Sequence, residues 1–136
     1  MIFTHHCQIK APLERVRAFF NSPVNLLKIT PLGFLMDLNP KEELRDGLKI
    51  ELKFMGIGLM ESLIRDVGPY GFTDFALKKP ALIKYWEHRH LLIPKGDSTV
   101  IEDHLTVEAY LPEPLIGAFL RLMFIHRCRT IRKLLE

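Results

Sequence analysis

Trp86, His88 and His90 recur at every second position, which on an extended strand puts all three side chains on one face. Ile101, Asp103, Leu105 and Val107 share one face of the next strand segment in the same way. The apolar company of Asp103 points its face to the covered side. A lone buried carboxylate costs several kcal/mol, so Asp103 is expected to meet His88 or His90 across the strand pair. Such a group can hydrogen-bond a ligand carbonyl or hydroxyl, and an imidazole with a suitable pKa can act as general base. The same residues can instead pin strand register, and residue types alone do not separate the two roles.

Other chemistries are less well supported. His88-Arg89-His90 plus a carboxylate could supply three ligands to zinc, with His5 or His6 as another. A spacing of two is common by chance and no further metal spacing accompanies it, so no metal is expected. There is no Gly-x-Ser-x-Gly elbow and no phosphate-binding glycine loop. Cys7 alternates with Phe3 and Ile9 and reads as a buried small hydrophobe. Cys128 lies between Arg127 and Arg129, where cations lower a thiol pKa, but a helix-face thiol without a role is the simpler reading. The two stand far apart in the chain, and the sequence predicts reduced thiols and hence a cytoplasmic protein, with a single disulfide joining the two ends as the lesser alternative.

The chain has 136 residues with 48% hydrophobic and 26% charged, the length and balance of one folded domain over residues 1–136. A net charge of +3 is too modest for a committed nucleic-acid binder. Much of the excess falls in Arg127, Arg129, Arg132 and Lys133, where cations complement a helix C-terminus. The first residues lack the basic and apolar regions of a signal peptide. The longest apolar stretch, Leu115 to Ile125, is interrupted by Arg121 and falls short of the ~20 residues of a membrane span.

The elements that must position these groups follow from periodicity. Ile2 to Lys10 alternates as a strand. Pro12 opens a helix carrying Val16, Phe19 and Phe20, and Ser22-Pro23 starts a second, short helix ending near Ile29 ahead of Thr30-Pro31. From Leu32 the period becomes two. The segment 47–54 is the cleanest half-buried strand, and further strands are expected at 59–67, 72–77, 82–93 and 98–110. The turns between them carry Gly56-Ile57-Gly58, Gly68-Pro69-Tyr70-Gly71, Lys79-Pro80 and Pro94-Lys95-Gly96-Asp97. Pro114 to Glu136 is one long helix with Leu115, Phe119, Leu122, Met123, Ile131 and Leu134 at steps of three and four. Grouped strands with helices at the ends define an α+β fold. About six antiparallel strands make a curved meander, and only the C-terminal helix can cover its apolar face. The space between them is the default ligand site, unless the nine Phe fill it.

In this order and spacing the sequence resembles the SRPBCC, or START-like, superfamily of helix-grip proteins. It looks closest to the polyketide cyclase/dehydratase-like ligand-binding branch. The resemblance covers nearly the whole chain. It rests on Ala11-Pro12, Val16, Phe19-Phe20, Asn25-Leu26 and Ile29-Thr30-Pro31, then Phe72-Thr73-Asp74, Trp86-Glu87-His88-Arg89-His90 with Leu92, Thr99 to Asp103, and Phe124 to Arg127. Two departures bear on the pocket: Met60 stands where a Trp is common, and Lys79-Pro80 replaces a Gly-Pro step. The resemblance implies a curved sheet wrapped around the long C-terminal helix, with two short helices after the first strand. It also implies a hydrophobic small molecule or lipid bound between sheet and helix. Phe54, Met60, Trp86, Phe119 and Met123 would be its apolar walls, and His88, His90 and Asp103 would orient the ligand. Arg127 would pair with Asp74 or Asp103 or face the ligand. Members do not usually hold a metal there, and no cofactor is implied. One alternative is a cofactor-independent cyclase, dehydratase or isomerase with His88 or His90 as base and Asp103 as its partner. Another is an interaction or lipid-transfer adaptor using the apolar half of the helix, which leaves a homodimer open.

Overall fold

Strict alternation in 47–54 does produce a strand, one of seven. In the computed structural model, which describes residues 1–136, the elements are β1 (Ile2–Ile9), α1 (Leu13–Asn21), α2 (Asn25–Lys28), β2 (Met36–Asn39), β3 (Lys49–Phe54), β4 (Ile57–Gly68), β5 (Gly71–Lys78), β6 (Ile83–Lys95), β7 (Ser98–Ala109) and α3 (Glu113–Leu135), with a 3₁₀ turn at Gly33–Leu35. All strands form one antiparallel sheet in the order β1-β7-β6-β5-β4-β3-β2. Register shifts in the β3–β4, β4–β5 and β6–β7 ladders mark bulges, which bend and twist a sheet. The α+β helix-grip arrangement expected from the element order is therefore present, with α3 packed along β1.

The differences are local. Pro12 caps α1 in an extended conformation rather than starting it. Helix α2 is a single turn ending at Lys28, and Ile29 turns into the core instead. Strand β2 adds a seventh strand, and its four residues are too few to show an alternation of their own. The β3–β4 turn is tighter than Gly56-Ile57-Gly58 suggests. Met55 and Gly56 both adopt positive φ, 51° and 82°, the mirror-image turn that matches the twist of paired strands.

Two apolar clusters share the covered face of the sheet. One gathers Val16, Phe20 and Ile29 with Leu48, Ile64, Leu92, Ile101, Ile131 and Leu135. The other holds Leu105 and Val107 against Ile116, Leu120 and Phe124. Helix α3 reaches both because its buried positions, from Ile116 to Leu135, recur on one face.

One expectation is overturned. Cys7 and Cys128 form a disulfide, with Cα atoms 5.8 Å apart. Neither thiol is free. The pair is distant only in sequence: β1 lies beneath the second half of α3, so residues 121 positions apart become neighbours. The cytoplasmic expectation built on reduced thiols loses that support. No helix is long and apolar enough to cross a membrane.

Candidate functional site

Between the two apolar clusters every neighbouring element contributes a polar side chain. β1 changes from Phe3 to Cys7 through His5, and β7 from Leu105 to Ile101 through Asp103. β6 changes from Trp86 to Leu92 through His88 and His90, and α3 from Phe124 to Ile131 through Arg127. Strand register puts His5 and His90 opposite Asp103 on its two sides, and Asp74 opposite His88. The face-sharing of Trp86, His88, His90 and Asp103 inferred from spacing is thus realised on the covered side of the sheet.

The short contacts run diagonally. His88 Nε2 lies 2.8 Å from Asp103 Oδ1, and His90 Nε2 lies 2.9 Å from Asp74 Oδ2. The remaining pairs are longer: His90 Nδ1 is 3.4 Å from Asp103 Oδ1, and His88 Nδ1 is 3.7 Å from Asp74 Oδ2. The two imidazoles stack at 3.6 Å between ring centroids. Each carboxylate therefore faces both rings, Asp103 from one end and Asp74 from the other. Asp74 entered the sequence reading only as a partner for Arg127. Its position opposite His88 depends on the β5–β6 pairing, which the motif Phe72-Thr73-Asp74 does not reveal.

Aromatic side chains seal the rings. Phe72 stacks on His90 at 4.2 Å, and Phe124 meets His88 edge-on at 5.5 Å. His88 and His90 are 3% and 2% exposed and Asp103 4%, whereas the Asp74 side chain retains 16%. Burial pushes His90 down to about 4, aided by the neighbouring His88. Burial alone would raise the two carboxyl groups. The hydrogen bond from His88 overcomes this at Asp103, and that from His90 at Asp74, with the Arg127 charge contributing to both, so each is held below the usual carboxylate range. Burial lowers Arg127 against the pull of Asp103 and Asp74, and its guanidinium lies 4.9 Å above the Phe124 ring. His5, facing Asp103 from β1, is lowered mainly by burial, and its Nδ1 has no hydrogen-bond partner.

The apolar candidates fall into two groups. Phe54 and Met60 lie on the covered face of β3 and β4. Ile50 on that face is in the core, Leu52 pairs with Met60, and Phe54 pairs with Met36. Trp86 and Met123 pack against the Leu105–Phe124 cluster. All four are half-buried. Phe119 is 64% exposed, because α3 turns Ile116, Leu120 and Phe124 inward instead. Depressions of about 200 and 210 Å³ lie at the β4–β5 turn and beside the start of α3, and none of His88, His90, Asp103 or Trp86 lines either. At the histidines the neighbouring rings are those of Phe20, Phe72 and Phe124.

No family model and no curated protein sequence matches the chain. Solved structures do. A START superfamily protein from Mycobacterium smegmatis superposes with a TM-score of 0.75 at 12% identity, over 98% of this chain and 96% of that one. Ara h 8.0201 gives 0.69 at 9% identity, over 99% and 97%. CalU16 from Micromonospora echinospora gives 0.66 at 17% identity, over 96% and 75%. The fold is the START-like, or SRPBCC, helix-grip fold.

Proposed function

We propose that the protein binds a hydrophobic small molecule along the part of the covered sheet face that no helix closes. The observation that carries this reading is an apolar band ending on a carboxylate. Met36, Leu52, Phe54, Met60 and Trp86 are half-buried on that face. Phe34, Met55 and Ile57 stand 84%, 68% and 73% exposed at its edge. Among the two histidines of β6 and the two carboxylates that flank them, Asp74 is the one that is not fully buried. An apolar ligand with one hydroxyl or amide would cover the band and donate to Asp74, the division of labour common in small-molecule sites. The START-like fold supports the same reading. Soft methionines suit irregular ligand shapes.

General-base catalysis fits less well. His88 and His90 are buried and each has a ring nitrogen held by a carboxylate, so neither reaches a substrate without rearrangement. An adaptor role would use the exposed Leu115, Phe119 and Leu122 on α3, beside which Arg121 and His126 are also exposed.

The single Trp of the chain, Trp86, lies beside the band and reports on it. Native mass spectrometry of gently purified protein should show a co-purifying apolar molecule, and its removal should shift Trp86 emission to longer wavelength. Protein that carries nothing, and whose emission ignores added fatty acids and aromatic polyketides, would refute the proposal.

A further inference from the structure

The polar group has a geometry that register-pinning does not require. His88 and His90 are an i, i+2 pair on one strand face, and Asp74 stands directly opposite His88 on the next strand. One ligand atom from each of Asp74, His88 and His90 lies within 4.8 Å of the other two. A tetrahedral zinc ion with bonds of about 2.0–2.1 Å separates its ligand atoms by about 3.3 Å. The Asp74 distances to His90 and His88, 2.9 and 3.7 Å, bracket that value. We infer that Asp74, His88 and His90 form a site for a divalent transition-metal ion of the zinc type, with Asp103 holding the far side of both imidazoles.

The arrangement of Asp103 is the second, independent observation. Histidines that ligate a metal usually give their other ring N–H to a carboxylate, which fixes ring orientation and tautomer. Asp103 Oδ1 stands 2.8 Å from His88 Nε2 and 3.4 Å from His90 Nδ1, so one oxygen faces the far nitrogen of each ring. In the metal-free protein His90 donates from Nε2 to Asp74, which leaves its buried Nδ1 without a partner. Metal binding resolves this. The ion takes the lone pair of Nε2, the imidazole proton moves to Nδ1, and a small rotation of the ring turns Nδ1–H onto Asp103 Oδ1, 3.4 Å away. His88 needs no such change, since its Nε2–H already donates to Asp103 and leaves Nδ1 toward Asp74.

Two imidazoles and one carboxylate favour zinc or a neighbouring first-row ion over magnesium or calcium, which prefer all-oxygen sets. The charge is compatible: Asp74 and Asp103 bring two negative charges against the one positive charge of Arg127, and a divalent ion takes the resulting −1 to +1, which a hydroxide in the fourth position would neutralise. The solvent-accessible edge of Asp74 gives the ion its approach and leaves a fourth position for water. The inference shares Asp74 with the proposed ligand site but uses none of the apolar residues of the band, so zinc binding and apolar-ligand binding can fail separately.

A second imidazole–carboxylate cluster must be separated from it. His6, Glu102 and His104 sit together on the opposite face of β1 and β7, where zinc could bind adventitiously. Zinc titration of full-length, chelator-treated protein should therefore compare wild type, H6A/H104A and D74N. The expected result is one equivalent bound by wild type and by H6A/H104A. D74N should bind at least tenfold more weakly, and D103N tenfold to a hundredfold more weakly. Cobalt should give a tetrahedral absorption band in H6A/H104A. A measurement on wild type guards against misfolded variants: imidazole nitrogen resonances of the two buried histidines should move on adding one equivalent of zinc. No zinc binding by folded wild type, binding lost in H6A/H104A, or buried histidine resonances that stay fixed would each overturn the inference.

Discussion

Asp103 accepts its short hydrogen bond from His88, although the residue opposite it on the neighbouring strand is His90. The diagonal choice leaves His90 to Asp74 and stacks the two rings. Neither carboxylate can then be removed without freeing an imidazole in a space lined by Phe20, Phe72 and Phe124.

Replacing Asp103 by Ala should therefore destabilise the metal-free protein by about 3 kcal/mol, the scale for breaking a buried polar pair. Asp103→Asn keeps the shape and a carbonyl acceptor for His88, so its cost should be clearly smaller. Urea unfolding of the two variants measures the difference, and equal losses would show that packing rather than hydrogen bonding dominates at this position.

The disulfide makes a second prediction. Cys7–Cys128 closes a loop spanning most of the chain, and long closed loops remove much denatured-state entropy. Cys7→Ser/Cys128→Ser, or thiol reduction of wild type, should lower stability by about 2–4 kcal/mol. Alkylation of unreduced, denatured protein followed by mass measurement should show no modified cysteine. A doubly alkylated protein of unchanged stability would argue that the bridge does not form.

Much of this was legible in the sequence, and the exceptions share a cause. The strands, the long helix and the shared face of Trp86, His88, His90 and Asp103 follow from periods of two and of three to four, which are local properties. What periodicity cannot encode is which elements meet. The Cys7–Cys128 bond requires knowing that α3 returns over β1, and the role of Asp74 requires the β5–β6 register. Phe119 shows a further limit. In a helix half apolar on nearly all sides, spacing permits more than one inward face, and the structure selects the one with Ile116, Leu120 and Phe124.

That selection is itself testable. Phe119, 64% exposed, should tolerate Asp with a stability change within about 0.5 kcal/mol, as for surface positions generally. Phe124 is 1% exposed and touches Phe3, His5 and His88. Phe124→Asp places an unpaired charge in the core and should leave little folded protein. Circular dichroism melts of the pair suffice, and a well-folded Phe124→Asp protein would mean that α3 can rotate on the sheet.

The close packing of β5 on β6 rests on one glycine. Gly71 adopts φ +142°, and a Cβ there would lie 1.9 Å from the carbonyl oxygen of His90. Both the backbone conformation and the space exclude a side chain. Gly71→Ala must push the start of β5 away from β6, which separates Phe72 from His90 and disturbs the His90–Asp74 contact beyond it. A loss of about 2–3 kcal/mol is expected, within the range of strained backbone substitutions. Gly58→Ala is the matched comparison, because nothing lies within 4 Å of its Cβ, and its effect should be small. The same variant tests the geometry of the site: Gly71→Ala should weaken zinc binding although it changes no ligand. If it folds with wild-type stability and wild-type zinc affinity, the approach of Gly71 to the His90 backbone does not hold the site in place.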